Sequence, residues 1–196
     1  MRRNSARPRS GIALGALILG WAGAVAGEPR SIDAAKSSVT IQVKKAGVFS
    51  AFGHDHEIAA PVAGGTLDAS AGKVELRFRS AALEVRDRGI SEKDRAEVQS
   101  TMLGPQVLDS QRYPEIVFRS TNAKQTGGSA WRVEGELTLH GQTRPVTADI
   151  RDQGGHYVGT VHLKQTDFGI QPIKVAGGTV RVKDEIQIDV DIQVAR

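Results

Sequence analysis

Val180-Arg181-Val182-Lys183-Asp184-Glu185-Ile186-Gln187-Ile188-Asp189-Val190-Asp191-Ile192-Gln193-Val194 is the stretch that decides the fold. Val180, Val182, Ile186, Ile188, Val190, Ile192 and Val194 are apolar, and the odd positions Arg181, Lys183, Glu185, Gln187, Asp189, Asp191 and Gln193 are polar. Side chains of a strand point alternately to its two faces. A period of two sustained this long therefore predicts a strand with one face buried and one in water.

The same period recurs upstream. Val39, Ile41 and Val43 alternate with Thr40, Gln42 and Lys44, and Val74, Leu76 and Phe78 alternate with Glu75, Arg77 and Arg79. Trp131, Val133, Leu137 and Leu139 alternate with polar neighbours, and Val146, Ala148 and Ile150 continue after a turn at Gly141-Gln142. Tyr157, Val161 and Leu163 mark another strand behind Gly154-Gly155. Residues 116–123 and 57–67 complete a set of about eight. Pro61 and Gly64-Gly65 predict a bulge or an edge in the last of these.

One segment departs from the period. Ser91 is placed to cap a helix running to Leu103, with Asp94 three residues on and Gly104-Pro105 as the stop. Val98 and Met102, four apart, share a face of that helix. The expected fold class is all-β: an antiparallel lipocalin-like barrel of about eight strands with one short helix. Closure removes the exposed edges of a long sheet. An eight-stranded barrel has room inside for packed side chains or for one slender ligand.

The first 26 residues predict where the protein works. Arg2, Arg3, Arg7 and Arg9 precede an uncharged, largely apolar run from Ile12 to Val25, and Ala24-Val25-Ala26 offers a cleavage site. The run is short for a bilayer core that takes ~20 helical residues, so a cleaved signal peptide is expected, not a span. Residues 27–196 then form one mature domain, exported by the general secretory route and most simply periplasmic. The whole chain carries a formal charge of +4, and the four arginines leave with the signal. The mature domain is thus neutral, which argues against nucleic acid as a partner. The chain has no cysteine, which excludes disulfides, thiolate nucleophiles and thiolate metal sites. It shows neither a Gly-rich phosphate loop nor a nucleophile elbow nor a His-Glu-x-x-His helix.

Several segments carry a resemblance. They are Ser31-Ile32-Asp33 with Ser37-Ser38-Val39, the run from Leu83 to Arg95, and Arg112-Tyr113-Pro114-Glu115-Ile116-Val117-Phe118-Arg119-Ser120. Gly135-Glu136-Leu137-Thr138-Leu139-His140-Gly141 continues to Arg144-Pro145-Val146, and Thr166-Asp167-Phe168-Gly169-Ile170 precedes the terminal strand. In this order they resemble the YceI-like family of polyisoprenoid-binding periplasmic proteins across nearly all of the mature chain. The resemblance implies a lipocalin-like barrel whose interior accepts a long isoprenoid chain, with no catalytic residues and no cofactor beyond that lipid. The chain departs from the family's commoner pattern at Ala51-Phe52-Gly53-His54-Asp55-His56-Glu57.

Ile41, Val43, Leu76, Phe78, Phe118, Trp131, Val133, Leu137, Leu139 and Phe168 are the candidates for a lipid-binding lumen wall. A hydrocarbon is held by non-directional contact, so a lined tunnel suffices. A filled core is the competing reading of each such residue. His54 and His56, two apart, would share one face of a strand. They are open to three readings: a pair of metal ligands, contacts to a polar lipid headgroup, or ordinary loop histidines. Arg144, in the turn after His140-Gly141, is either a partner for a diphosphate head or a solvated turn residue. Two functions of different class follow. One is a non-catalytic carrier of a long-chain lipid, not membrane-spanning and compatible with a homodimer. The other is a metal- or haem-associated periplasmic protein built on His54 and His56.

Overall fold

The computed structural model describes residues 28–46, 55–175 and 180–195. The expected signal peptide, residues 1–26, and His54 lie outside the described residues. The described chain forms the strands β1 (Arg30–Ser31), β2 (Ser38–Ala46), β3 (His56–Ala59), β4 (Val62–Asp68), β5 (Lys73–Arg79) and β6 (Glu84–Val85). After helix α1 (Glu92–Leu103) come β7 (Glu115–Gly127), β8 (Ala130–Leu139), β9 (Gln142–Asp152), β10 (His156–Lys164), β11 (Lys174–Val175) and β12 (Val180–Gln193). They make one antiparallel sheet, ordered β1-β4-β5-β7-β8-β9-β10-β12-β2-β3-β6, with β11 added on β12.

The sheet curls because one segment pairs on two sides. β3 hydrogen-bonds to β2 in a register that sets Val43 opposite His56, whereas β4 hydrogen-bonds to β5. Between them Ala60 N–H still donates to Val39 O at 2.9 Å, and Pro61, with no N–H to give, breaks the ladder. A register shift between Val62 and Gly64 adds further bend. The irregularity expected around Pro61 and Gly64 is thus the corner that brings β2 and β5 together. With β3 and β4 counted as one bent strand, eight long strands enclose the interior. The remaining strands of the described twelve, β1, β6 and β11, are two-residue ladders that periodicity alone cannot register.

The N-terminal segment closes a further gap. Ile32 bridges Val194, Asp33 N–H donates to Gln193 O, and Ala195 N–H donates to Ser31 O, which ties β1 and β4 to the end of β12.

α1 forms as its sequence dictates. The Ser91 hydroxyl accepts from Asp94 N–H at 3.1 Å, and Glu92 and Asp94 place acids in the first turn, where the helix dipole favours them. Gly104 N–H closes the last turn on Ser100 O at 3.0 Å. Met102 is buried and Val98 packs partly buried against the core, the shared face their spacing predicted. No described helix is long and apolar enough to cross a membrane.

The resembling motifs turn out to be joints. Ser80, 2% exposed, donates its hydroxyl to Tyr113 O, and its N–H donates to Pro114 O, strapping the segment before β7 to the end of β5. Between β8 and β9, His140 (φ 51°) and Gly141 (φ 71°) form the two-residue turn, both left-handed as a tight hairpin requires. The His140 ring meets the Tyr113 ring edge-on at 4.7 Å, and its Nδ1 lies 3.1 Å from Phe168 O.

Candidate functional site

The inner faces of the long strands enclose a cavity of about 290 Å³, at the small end of ligand pockets. Every expected lumen residue except Phe168 lies in its wall. Phe168 is 1% exposed in the 3₁₀ turn Gln165–Phe168, packed in the core outside that wall. Gly169 ends that turn in the left-handed region, and Asp184 pins it by accepting from the Thr166 N–H and hydroxyl. The wide spacing of Phe168 from any alternating run hid this local turn.

The wall also contains residues outside the expected lumen set. Ile58, Leu67, Val161 and Ile192 follow the same alternation and could have been found by it. Met102, Val107 and Leu108 come from α1 and the link after it, and no strand period marks them.

The two ends of the cavity differ. At the helix end the wall is made of buried side chains, including Leu83, Met102, Leu108, Leu163 and Ile170. The polar side chain there is Gln165, 8% exposed, whose amide donates to Lys183 O at 2.8 Å. At the other end, where the turns β4–β5, β7–β8 and β9–β10 gather, the wall residues Asp68, Ala69, Gly72, Trp131, Asp152 and Tyr157 are partly exposed or exposed. The cavity therefore meets solvent at the turn end.

Polar groups concentrate there. Asp68 Oδ1 accepts from the Ser70 hydroxyl at 2.6 Å and from Ala71 N–H at 2.9 Å, and these bonds hold its carboxyl below the usual range. Asp152 Oδ1 accepts from Gly155 N–H at 2.9 Å. Burial pushes the Tyr157 phenol up, the Asp152 carboxylate adds to the rise, and Arg30 opposes it. The phenol stays protonated at neutral pH, able to donate and accept.

The expected headgroup residues lie elsewhere. Arg144 is exposed, outside the cavity wall, and its guanidinium is engaged locally. Nε donates to Asp167 O at 2.9 Å, Nη1 to Thr143 O at 3.1 Å and Nη2 to Gln142 Oε1 at 3.2 Å. It fastens the β8–β9 turn to the 3₁₀ turn. His56 pairs in register with Val43 near the helix end, the end away from the polar rim. Its Nδ1 lies 2.6 Å from Asp87 Oδ2, while Asp87 Oδ1 accepts from Glu57 N–H at 2.7 Å.

Other histidines do not converge on it. His156 faces Asp191 at 3.3 Å, His162 faces Glu185 at 3.8 Å, and His140 is held by Phe168 O. Among the described residues no three His, Asp or Glu side chains form a group that could hold a metal ion.

Comparison with known proteins places this architecture. A UPF0312 protein of Pseudomonas savastanoi pv. phaseolicola is 35% identical over 115 residues, 52% of this chain and 54% of that one. One of Pseudomonas putida is 34% identical over 138 residues, 63% of this chain and 62% of the relative. The chain thus spans roughly half to three-fifths of the length of the curated relatives it matches. The crystal structure of Burkholderia cenocepacia BcnA superposes with a TM-score of 0.61 at 20% identity, covering 84% of this chain and 99% of that one. At that identity the shared property is the fold. The YceI-like domain matches residues 31–194, and on that match, with the curled sheet to support it, the chain belongs to the YceI-like family.

Proposed function

We propose that this protein is an exported, non-catalytic carrier that holds a long-chain amphiphilic lipid, a polyisoprenoid or a chain of similar girth, in its lumen. The observation behind this reading is the cavity itself: a narrow space of about 290 Å³ whose wall is apolar along nearly its whole length. Each methylene moved from water into such a wall gains about 0.8 kcal/mol, without any directional contact. A slender chain of many methylenes and methyls collects that gain repeatedly, and a compact polar solute does not.

The wall offers little for catalysis. The carboxylates of Asp68 and Asp152 hold their own turns, and no nucleophile is paired with a base among the described wall residues. The signal-like residues 1–26 support export to the periplasm, where a lipid in transit between membranes needs shielding from water.

Native mass spectrometry of protein recovered from the periplasm, with lipid identification after denaturation, tests this. A discrete extra mass released as a long isoprenoid or related chain is expected. A bare protein that also fails to take up added polyprenol would overturn the reading.

A further inference from the structure

The carrier reading leaves the length of the lipid unspecified, and the closed end of the lumen speaks to it. Arg79 at the end of β5 stands opposite Glu115 at the start of β7. A two-residue turn suffices for strands so placed, yet residues 80–114 intervene. This excursion leaves and returns at one point, its neck held by Ser80 N–H donating to Pro114 O at 2.9 Å. Its side chains Leu83, Met102, Val107 and Leu108 line the cavity, and Leu83, Met102 and Leu108 are buried. Backbone bonds fix them: Leu108 N–H donates to Met102 O at 3.0 Å, and Ser110 N–H to Leu103 O at 3.0 Å. Gln99 ties the helix to Leu83 and Val85 through both ends of its amide.

We infer that Met102 and Leu108 are the floor against which the lipid tail ends, and that the depth above them limits the chain to about four isoprene units. This rests on the carrier reading above and names the ligand class of the same site. Along β10 the wall runs six residues from Tyr157 at the rim to Leu163 near the floor, and along β8 eight from Trp131 to Leu139. At about 3.3 Å per residue and a barrel tilt of about 40°, the lumen is roughly 15–20 Å deep. Carbon–carbon bonds of about 1.5 Å give an extended isoprene unit about 5 Å, so about three or four units fit end to end. The volume sets the same scale: about 290 Å³ is roughly twice the ~150 Å³ apolar cavity that holds one benzene. An eight-stranded barrel has width for one slender chain, so a longer one cannot double back inside it. Units beyond the rim would stand in water, and a long chain drawn from a membrane would lose shelter for each of them.

The test loads delipidated mature protein from phosphatidylcholine vesicles holding equal amounts of four alcohols. They are farnesol, geranylgeraniol, geranylfarnesol and solanesol, of three, four, five and nine isoprene units. Native mass spectrometry reads the bound lipid. Farnesol and geranylgeraniol are expected to load about tenfold or more above solanesol, whereas a lumen sheltering all nine units would show no such gap. Met102→Ala lowers the floor and should raise geranylfarnesol relative to geranylgeraniol about threefold or more. Met102→Phe raises the floor and should move the preference toward farnesol. Far-ultraviolet dichroism checks that each variant is folded, and if neither folds the native profile decides alone. Native protein that loads solanesol as well as geranylgeraniol, or folded variants with the native length profile, would overturn the floor and leave the carrier reading standing. Failure of all four alcohols to load would overturn both.

Discussion

His56 Nδ1 and Asp87 Oδ2 lie 2.6 Å apart, with the Asp87 side chain 1% exposed and the imidazole 22% exposed. The carboxylate also accepts from Glu57 N–H, so one buried acid orients a ring and fixes the start of β3. This gives His56 a structural task, at the end of the cavity away from the polar rim. Replacing Asp87 by Ala would leave the Glu57 N–H and the ring without their acceptor, at a cost of about 1–3 kcal/mol in urea unfolding. His56→Asn should leave lipid uptake within about twofold of native. A tenfold loss would return His56 to the headgroup.

Gln99 closes the free edge of β6. Its Oε1 accepts from Val85 N–H at 2.8 Å and its Nε2 donates to Leu83 O at 2.8 Å, so the amide imitates a neighbouring strand. Leu83 and Val85 are 3% and 2% exposed, so water cannot replace the lost bonds cheaply. Gln99→Ala is expected to lower stability by about 1–3 kcal/mol, measured by chemical denaturation, with binding affinity at saturating fold little changed.

Gly135 on β8 lies against Phe118 and Arg119 of the neighbouring strand β7. A Cβ there would come 2.5 Å from Arg119 O and 2.5 Å from the ring of Phe118, a residue of the lumen wall. Gly135→Ala must push backbone or swing Phe118 inward, an overpacking cost of about 1–3 kcal/mol. Thermal unfolding reads the loss, and a narrowed lumen should lower lipid uptake as well.

Filling the lumen should be tolerated better than overfilling a packed core. Val161 lines the cavity and is only half-buried. Val161→Trp should keep the far-ultraviolet dichroism and shift Tm by a few degrees, yet reduce polyprenol uptake about tenfold or more. A large destabilisation would mean that the space is too small to accept a ring and would weigh against a lipid tunnel.

Acid should erase the contribution of Asp68. Its folded pKa lies below the ordinary value because Ser70 and Ala71 donate to it. The stability it adds is therefore fully present above the unfolded value of about 3.9 and is lost as pH falls through the lower folded value. The Tm difference between native protein and D68N should be constant from neutral pH to about pH 5 and shrink below about pH 4. A difference that instead grows on acidification would contradict the assignment.

Much of this was legible in the chain. The period of two at Val180–Val194 and in its fellows marked the walls, because a strand's inward face is a local property of consecutive residues. Ser91, Asp94 and Gly104 bounded the helix through bonds made within one turn. The corner at Pro61 was visible as a defect, though its role in pairing one segment with both β2 and β5 was not. The turn end brings Asp68, at the β4–β5 turn, to the same end of the cavity as the hairpin pair Asp152 and Tyr157, more than 80 residues away in the chain. Likewise, only the packing of the 3₁₀ turn against the β8–β9 hairpin engaged Arg144 with a carbonyl and took Phe168 out of the wall. Alternation reports which face of a strand is buried and is silent on which end of a barrel a residue occupies or what lies across from it. The sequence by itself thus determined a curled antiparallel sheet with an apolar interior. The tertiary structure decided where that interior is polar, because that depends on contacts closed across the whole chain.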